Sequence, residues 1–150
     1  MLLLFTVDSY AQKVEMITEW ETAKNLASKE NKHILVILTG SEWCKPCKKM
    51  DKYVIADPEF QKYAKENLIV FLVDLPGGGI VMNSPVNISY EKFKKMYQTT
   101  ALPSLILADK DGEKIKVLEG KLHQVENVLA QLKALSYPTS ATTTGSKNSR

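Results

Sequence analysis

Two nearly unbroken apolar runs, His33-Ile34-Leu35-Val36-Ile37-Leu38-Thr39 and Leu68-Ile69-Val70-Phe71-Leu72-Val73, constrain this chain most. A strand with one wet face alternates apolar and polar residues, whereas a short continuous run rich in branched side chains needs cover on both faces. Both runs therefore predict interior strands. The segment between them is long enough for a helical crossover, so they form a parallel βαβ unit. At 150 residues and 44% hydrophobic content, one sizeable core and one domain are expected.

The other elements follow from periodicity and punctuation. Thr18-Glu19-Trp20-Glu21 reads as a capping box opening a helix to about Asn31, with Ile17, Trp20, Ala23 and Ala27 at helical spacing. Met50, Tyr53 and Val54 extend a helical face, and Asp57-Pro58 supplies a cap with proline at the first helical position, opening a helix from Glu59 to about Glu66. Pro76-Gly77-Gly78-Gly79 breaks the pattern, and a loop runs from Gly77 to Asn87. Its length suits either a binding role or a plain insertion. Ser89 caps a short helix carrying Phe93, Met96 and Tyr97. Leu105 to Ala108 reads as a third strand, Asp109-Lys110-Asp111-Gly112 as a hairpin turn, and Ile115, Val117 and Glu119 as alternate positions of a fourth. Leu122, Val125, Val128, Leu129, Leu132 and Leu135 define an amphipathic C-terminal helix.

The ends differ in character. Leu2 to Val7 is apolar, and Ser9 and Ala11 precede Gln12 in a small-x-small arrangement, so residues 1–11 are expected to be the remnant of a secretory signal, although a basic n-region is missing and Asp8 interrupts. An N-terminal arm of a cytosolic protein is the alternative. The domain proper spans 12–136, and residues 137–150, YPTSATTTGSKNSR, form a polar tail expected to be disordered. No run approaches the roughly 18 apolar residues of a membrane span. The formal net charge is +3 with no block of like charge, so neither a stable membrane span nor a nucleic-acid partner is expected.

Both cysteines lie in Gly40-Ser41-Glu42-Trp43-Cys44-Lys45-Pro46-Cys47-Lys48-Lys49-Met50, directly behind the first apolar run. A C-x-x-C spacing serves a redox pair, half a zinc site or a structural staple. A structural zinc site usually takes four protein ligands, and the two histidines, His33 and His123, stand alone; no metal is expected. A bridge across so short a loop constrains the unfolded chain little. Between a strand end and a helix start, however, Cys44 would meet unpaired backbone amides and the positive end of the helix dipole, which favour the reactive thiolate. Lys45, Lys48 and Lys49 add screened positive charge. Cys44 is then the expected nucleophile and Cys47, one turn into the helix and shielded by it, the resolving thiol. Pro46 suits the first helical turn, where its missing N–H is no loss.

Trp43-Cys44-Lys45-Pro46-Cys47-Lys48 between strand and helix, with the later Leu102-Pro103-Ser104 entering a strand, resembles the thioredoxin superfamily from about Glu15 to Leu135. The resemblance implies an α/β thioredoxin-like fold with a central mixed four-stranded sheet flanked by helices. It also implies a cis Pro103 against the cysteine pair, with the Leu102 backbone pairing to substrate as an added strand. Two departures stand out. The family's buried aspartate, six residues before the first cysteine, and its lysine partner align without gaps to Leu38 and Val70, both apolar. Proton transfer at Cys47 would then fall to water or Glu42. Lys45 replaces the family's usual glycine between the cysteines.

The expected function is thiol-disulfide exchange without a cofactor, most simply the reduction of protein disulfides by a Cys44/Cys47 dithiol, supported by Glu42, Trp43, Lys45 and Pro46 and with Leu102 and Pro103 contacting substrate. Its partners are protein disulfide or dithiol substrates and an upstream electron donor or acceptor protein. The expected location is periplasmic or otherwise exported, with a cytoplasmic alternative. Two other readings stay open: an oxidase or isomerase using the same pair, and a redox-inactive protein-binding module.

Overall fold

The computed structural model describes residues 13–77 and 83–136, with nothing taken from the Ser136 side chain. The leader, the tail and the Gly78–Met82 part of the expected loop lie outside the described residues. Strands β1 (Met16–Ile17), β2 (His33–Thr39), β3 (Leu68–Asp74), β4 (Ser104–Ala108) and β5 (Lys114–Val117) form one sheet in the order β1-β3-β2-β4-β5. The β1–β3 and β2–β3 pairs are parallel, and the β2–β4 and β4–β5 pairs antiparallel. The mixed α/β sheet is as expected, except for a fifth strand. Met16 and Ile17 add to the outer edge of β3 opposite Val70 and Phe71.

That edge strand also corrects the first helix. The chain is held extended through Glu19 (φ −99°, ψ 116°), so α1 runs Trp20–Glu30 with Glu19 as its N-cap and no side-chain capping bond. The Thr18 capping box does not form. Helix α2 (Lys45–Met50) passes directly into a π-helical turn, Asp51–Ile55. The wide turn changes the phase of the face: Val54 is buried, while Tyr53 is half exposed. Helix α3 (Pro58–Asn67) starts as expected, the Asp57 carboxylate accepting from the amides of Glu59 and Phe60.

Helix α4 (Pro85–Tyr97) starts earlier than the Ser89 reading because Ser84 caps it, accepting from the Asn87 amide, with Pro85 at the first position. The expected loop shortens accordingly. Phe93 and Tyr97 are buried and Met96 is exposed. Strand β5 presents Ile115 to solvent and ends at Val117, leaving Glu119 outside the strand and Leu118 buried. Helix α5 (Val125–Ser136) begins after Leu122, which lies in the preceding turn.

The sheet divides the core by strand parity. On one face Ile34, Val36, Leu38, Ile69, Phe71 and Val73 pack under α1 and α4. On the other, Leu35, Ile37, Leu68 and Val70 pack under α2, α3 and α5. Edge-to-face contacts join Trp20, Phe71 and Phe93, with centroids 4.9–5.0 Å apart. Gly112 closes the β4–β5 turn at φ +91°, and a Cβ there would lie 2.7 Å from the Trp20 ring.

Candidate active site

The site begins where β2 stops. The Gly40 carbonyl accepts from the amides of Trp43 (3.2 Å) and Cys44 (2.9 Å), turning the chain into α2. Gly40 also allows the Trp43 indole to lie on its backbone, since a Cβ would stand 2.6 Å from Trp43 Cε2. Cys44 is the N-cap of α2 in extended conformation, and its Sγ accepts the Cys47 amide at 3.3 Å. Such an amide is a fixed partial positive charge that stabilises negative charge on sulfur. Lys45 and Pro46 occupy the first turn, both exposed.

Cys44 and Cys47 are joined as a disulfide, with Cα atoms 5.2 Å apart. Cys44 retains 7% exposure and Cys47 none. The Gly40 amide points at Cys47 Sγ (3.4 Å), so each sulfur has its own backbone donor. Lys48 and Lys49 are exposed on α2, where solvent weakens their effect on the sulfurs.

Three long-range fastenings fix this turn. Asp74 at the end of β3 accepts from the Ser41 amide (2.8 Å) and from the Ser41 hydroxyl. Trp43 Nε1 donates to the Leu75 carbonyl at 3.0 Å, while the Leu75 amide donates to Thr39 O at 2.9 Å. Glu42 is exposed and its carboxylate accepts from the Gly77 amide at 2.9 Å. It thus serves as a loop clasp in this structure.

On the other side of the sulfur lies the turn before β4. The Leu102–Pro103 peptide is cis, and the Leu102 carbonyl oxygen is 3.9 Å from Cys44 Sγ. Ser104 Oγ lies 2.7 Å from Thr99 Oγ1 and donates to the Ala101 carbonyl, which ties down the base of this turn. A groove of about 400 Å³ opens beside it, lined by Pro46, Ala101, Pro103, Gly120, Leu122 and His123. His123 is thereby a groove residue, while His33 opens β2.

The apolar departures at Leu38 and Val70 are fully or almost fully buried, but they are not neighbours. Leu38 pairs with Val73 and Val70 with Leu35, on opposite faces of the sheet. Strand parity thus separates the two positions that match the family's acid and lysine without gaps. A carboxylate does follow the pair along the same helical segment. Asp51, one turn beyond Cys47, has its pKa raised by burial and secondarily by the charge of Asp74. Neither Asp51 nor the Asp74 anchor is evident from local sequence pattern.

A cysteine pair at a strand-to-helix junction, opposed by a cis proline at the entry of an antiparallel strand, defines the thioredoxin-like class. The chain belongs to the thioredoxin-like domain family, whose model matches residues 20–136. It is 28% identical over 100 residues to a disulfide bond reductase DsbH of Chlamydia pneumoniae, covering 65% of this chain and 60% of that protein. It is 24% identical over 100 residues to a thiol:disulfide interchange protein DsbD of Photorhabdus laumondii, covering 66% of this chain and 16% of that one. The chain thus matches less than two thirds of either relative's length. A solved DsbH oxidoreductase shares the fold with a TM-score of 0.73 at 20% identity, over 90% of this chain and 93% of its own.

Proposed function

We propose that the domain spanning residues 12–136 is a thiol-disulfide oxidoreductase that reduces protein disulfides. The observation that carries this reading is the asymmetry of the pair. Cys44 sits at the helix N-cap, within reach of solvent, with an amide on its sulfur, while Cys47 is fully buried one turn behind it. In the dithiol form, the Cys44 thiolate attacks a substrate disulfide, one substrate sulfur leaves as thiolate, and a mixed disulfide remains. Cys47 then loses its proton and attacks Cys44 Sγ. The mixed disulfide breaks, the second substrate sulfur leaves, and the protein holds the intramolecular disulfide. Two electrons have passed to the substrate.

Leu102 and Pro103 form the substrate-facing wall in this reading, the Leu102 backbone receiving an extended segment as an added strand. Pro46 borders the groove, Lys45 is exposed in the same first turn of α2, and the Trp43 indole lies on the Gly40 backbone. A protein electron donor returns the pair to the dithiol, and no cofactor enters the cycle. The apolar Leu2–Val7 stretch followed by Ser9-x-Ala11 supports an exported location, and the names of the DsbH and DsbD relatives support disulfide chemistry. Among the described residues, no helix is long and apolar enough to cross a membrane.

Insulin-reduction turnover tests the activity: the wild-type chain should precipitate insulin in the presence of dithiothreitol, and Cys44→Ser should abolish the acceleration. Activity surviving that substitution removes Cys44 from the mechanism. Equilibration against a glutathione series tests direction. A potential near −270 mV accords with a reductase, and one near −120 mV would assign the pair to oxidation.

A further inference from the structure

Between Trp43 and Met50 the chain carries three lysines and no carboxylate. Lys45, Lys48 and Lys49 stand at i, i+3 and i+4 on α2, a spacing that sets them on one face, and Lys52 follows in the π-turn. All four are exposed, while Cys47, Met50 and Val54 are buried. Like charges at this spacing repel. Two other helices relieve a lysine with a glutamate one turn earlier, Glu21 for Lys24 in α1 and Glu91 for Lys94 in α4. Among the described residues, none of the α2 and π-turn lysines forms an ion pair. The nearest carboxylates along the chain are engaged elsewhere. Glu42 accepts from the Gly77 amide, Asp57 accepts from the amides that open α3, and Asp51 is partly buried and feels the charge of Asp74. The folded chain thus carries an uncompensated positive face that begins beside the reactive Cys44.

Two exposed aromatic side chains bracket these lysines along the chain. Trp43 and Tyr53 are each 50% exposed, and Trp43 is held in place by its bond to the Leu75 carbonyl, so covering it with a partner costs little side-chain freedom. Lys52 Nζ lies 5.0 Å from the centroid of the Tyr53 ring. Aromatic anchors with charge around them are the make-up of a protein interface, the aromatics supplying contact area and the peripheral charges steering encounter. The face is continuous with the reactive pair, because α2 is capped by Cys44 itself and the Leu102–Pro103 turn lies across that sulfur.

Resting on the oxidoreductase reading, we propose that this face is the docking surface for an acidic protein partner, one whose disulfide is flanked by aspartates or glutamates. Carboxylates beside the partner's disulfide meet Lys45, Lys48, Lys49 and Lys52 as its sulfur reaches Cys44. The attraction acts mainly on the rate of encounter, and its reach shrinks with the Debye length, from about 30 Å at 0.01 M salt to about 3 Å at 1 M. An anionic lipid surface offers no disulfide to Cys44, and the lysines begin at the residue after that cysteine, so their placement favours a protein. The exchange at the sulfurs is the same for every partner; the lysines select which disulfide arrives.

The test uses the full reduced chain in single turnover with three synthetic peptides of one sequence, each closed by a disulfide and differing only in whether the flanking residues are Glu, Gln or Lys. Each rate constant is divided by that of dithiothreitol with the same peptide, which cancels the effect of the flanking charges on the disulfide itself. At about 0.01 M salt the Glu peptide should react about tenfold faster than the Gln peptide and the Lys peptide more slowly, the three converging toward 1 M. Lys48→Glu/Lys49→Glu should erase or invert this order, and Lys48→Gln/Lys49→Gln should weaken it by an intermediate amount. Lys29→Glu/Lys116→Glu, the same change of net charge placed on α1 and β5, should keep most of it. Equal rates for the three peptides at low salt, an order indifferent to salt, or an equal loss in the Lys29 and Lys116 variant overturns the proposal. Sedimentation with phosphatidylglycerol vesicles in place of any peptide preference also overturns it and assigns the face to lipid. A chain that reduces none of the peptides fails the oxidoreductase reading instead.

Discussion

The Gly40 amide, in the loop after β2, donates to the sulfur of Cys47 inside α2 across 3.4 Å. This contact and the one from Cys47 N to Cys44 Sγ place the disulfide between two backbone donors. Neither requires an ionised side chain, so the fold itself sets a fixed partial positive charge at each sulfur.

Gly40→Ala should disrupt the site from beneath. The new methyl would meet the Trp43 ring at 2.6 Å, and that ring is anchored by its bond to Leu75 O. Displacement of the indole is expected, with a loss of about 1–3 kcal/mol from overpacking and a marked fall in turnover. Urea unfolding and Trp fluorescence, read against Trp43→Phe, check it. An unchanged midpoint and spectrum would remove Gly40 from the account.

Asp51→Asn should make the protein more stable at neutral pH. The raised pKa means that the folded state disfavours the charged carboxylate, so its relative stabilisation is present below the ordinary value of 3.8 and is lost as pH rises through the folded pKa. The substitution removes that penalty, and its advantage should disappear below the ordinary carboxylate range. Urea midpoints at pH 7 and in mild acid decide it.

Tyr97 offers a pH test remote from the sulfurs. Its hydroxyl donates to the Gly112 carbonyl at 2.9 Å, and burial, followed by the charges of Glu113 and Asp109, pushes its pKa up to about 12. Stability from this group should be complete below pH 10, the ordinary phenol value, and lost as pH rises toward 12. Tyr97→Phe should cost about 1–2 kcal/mol by orphaning the carbonyl, flatten that alkaline loss and leave insulin reduction intact. A steep alkaline loss persisting in the variant would assign it to another group.

The parts of the fold legible in the sequence are those encoded locally. The two buried runs announce β2 and β3, Asp57-Pro58 announces α3, and the cysteine motif and Leu102-Pro103 mark the two halves of the site because each carries its chemistry in a few adjacent residues. What escaped is encoded at a distance. Met16 and Ile17 have no pattern of their own and become a strand only against Val70 and Phe71. Asp74 reads as the polar end of an apolar run until Ser41 is folded onto it from 33 residues away. Leu38 and Val70 look like a matched pair in alignment, yet the register assigns them to opposite faces. Ser84-Pro85 was the exception: it carries the same cap-and-proline signal as Asp57-Pro58 and could have placed the start of α4.

The central claim is the unequal division of labour between Cys44 and Cys47, and the most direct test is alkylation of the fully reduced chain by iodoacetamide across pH, with each cysteine quantified by peptide mass spectrometry. Cys44 should label first, with an apparent pKa below the free-cysteine value of about 8.5, while Cys47 stays largely unmodified at neutral pH. Equal labelling of the two, or earlier labelling of Cys47, would contradict the account.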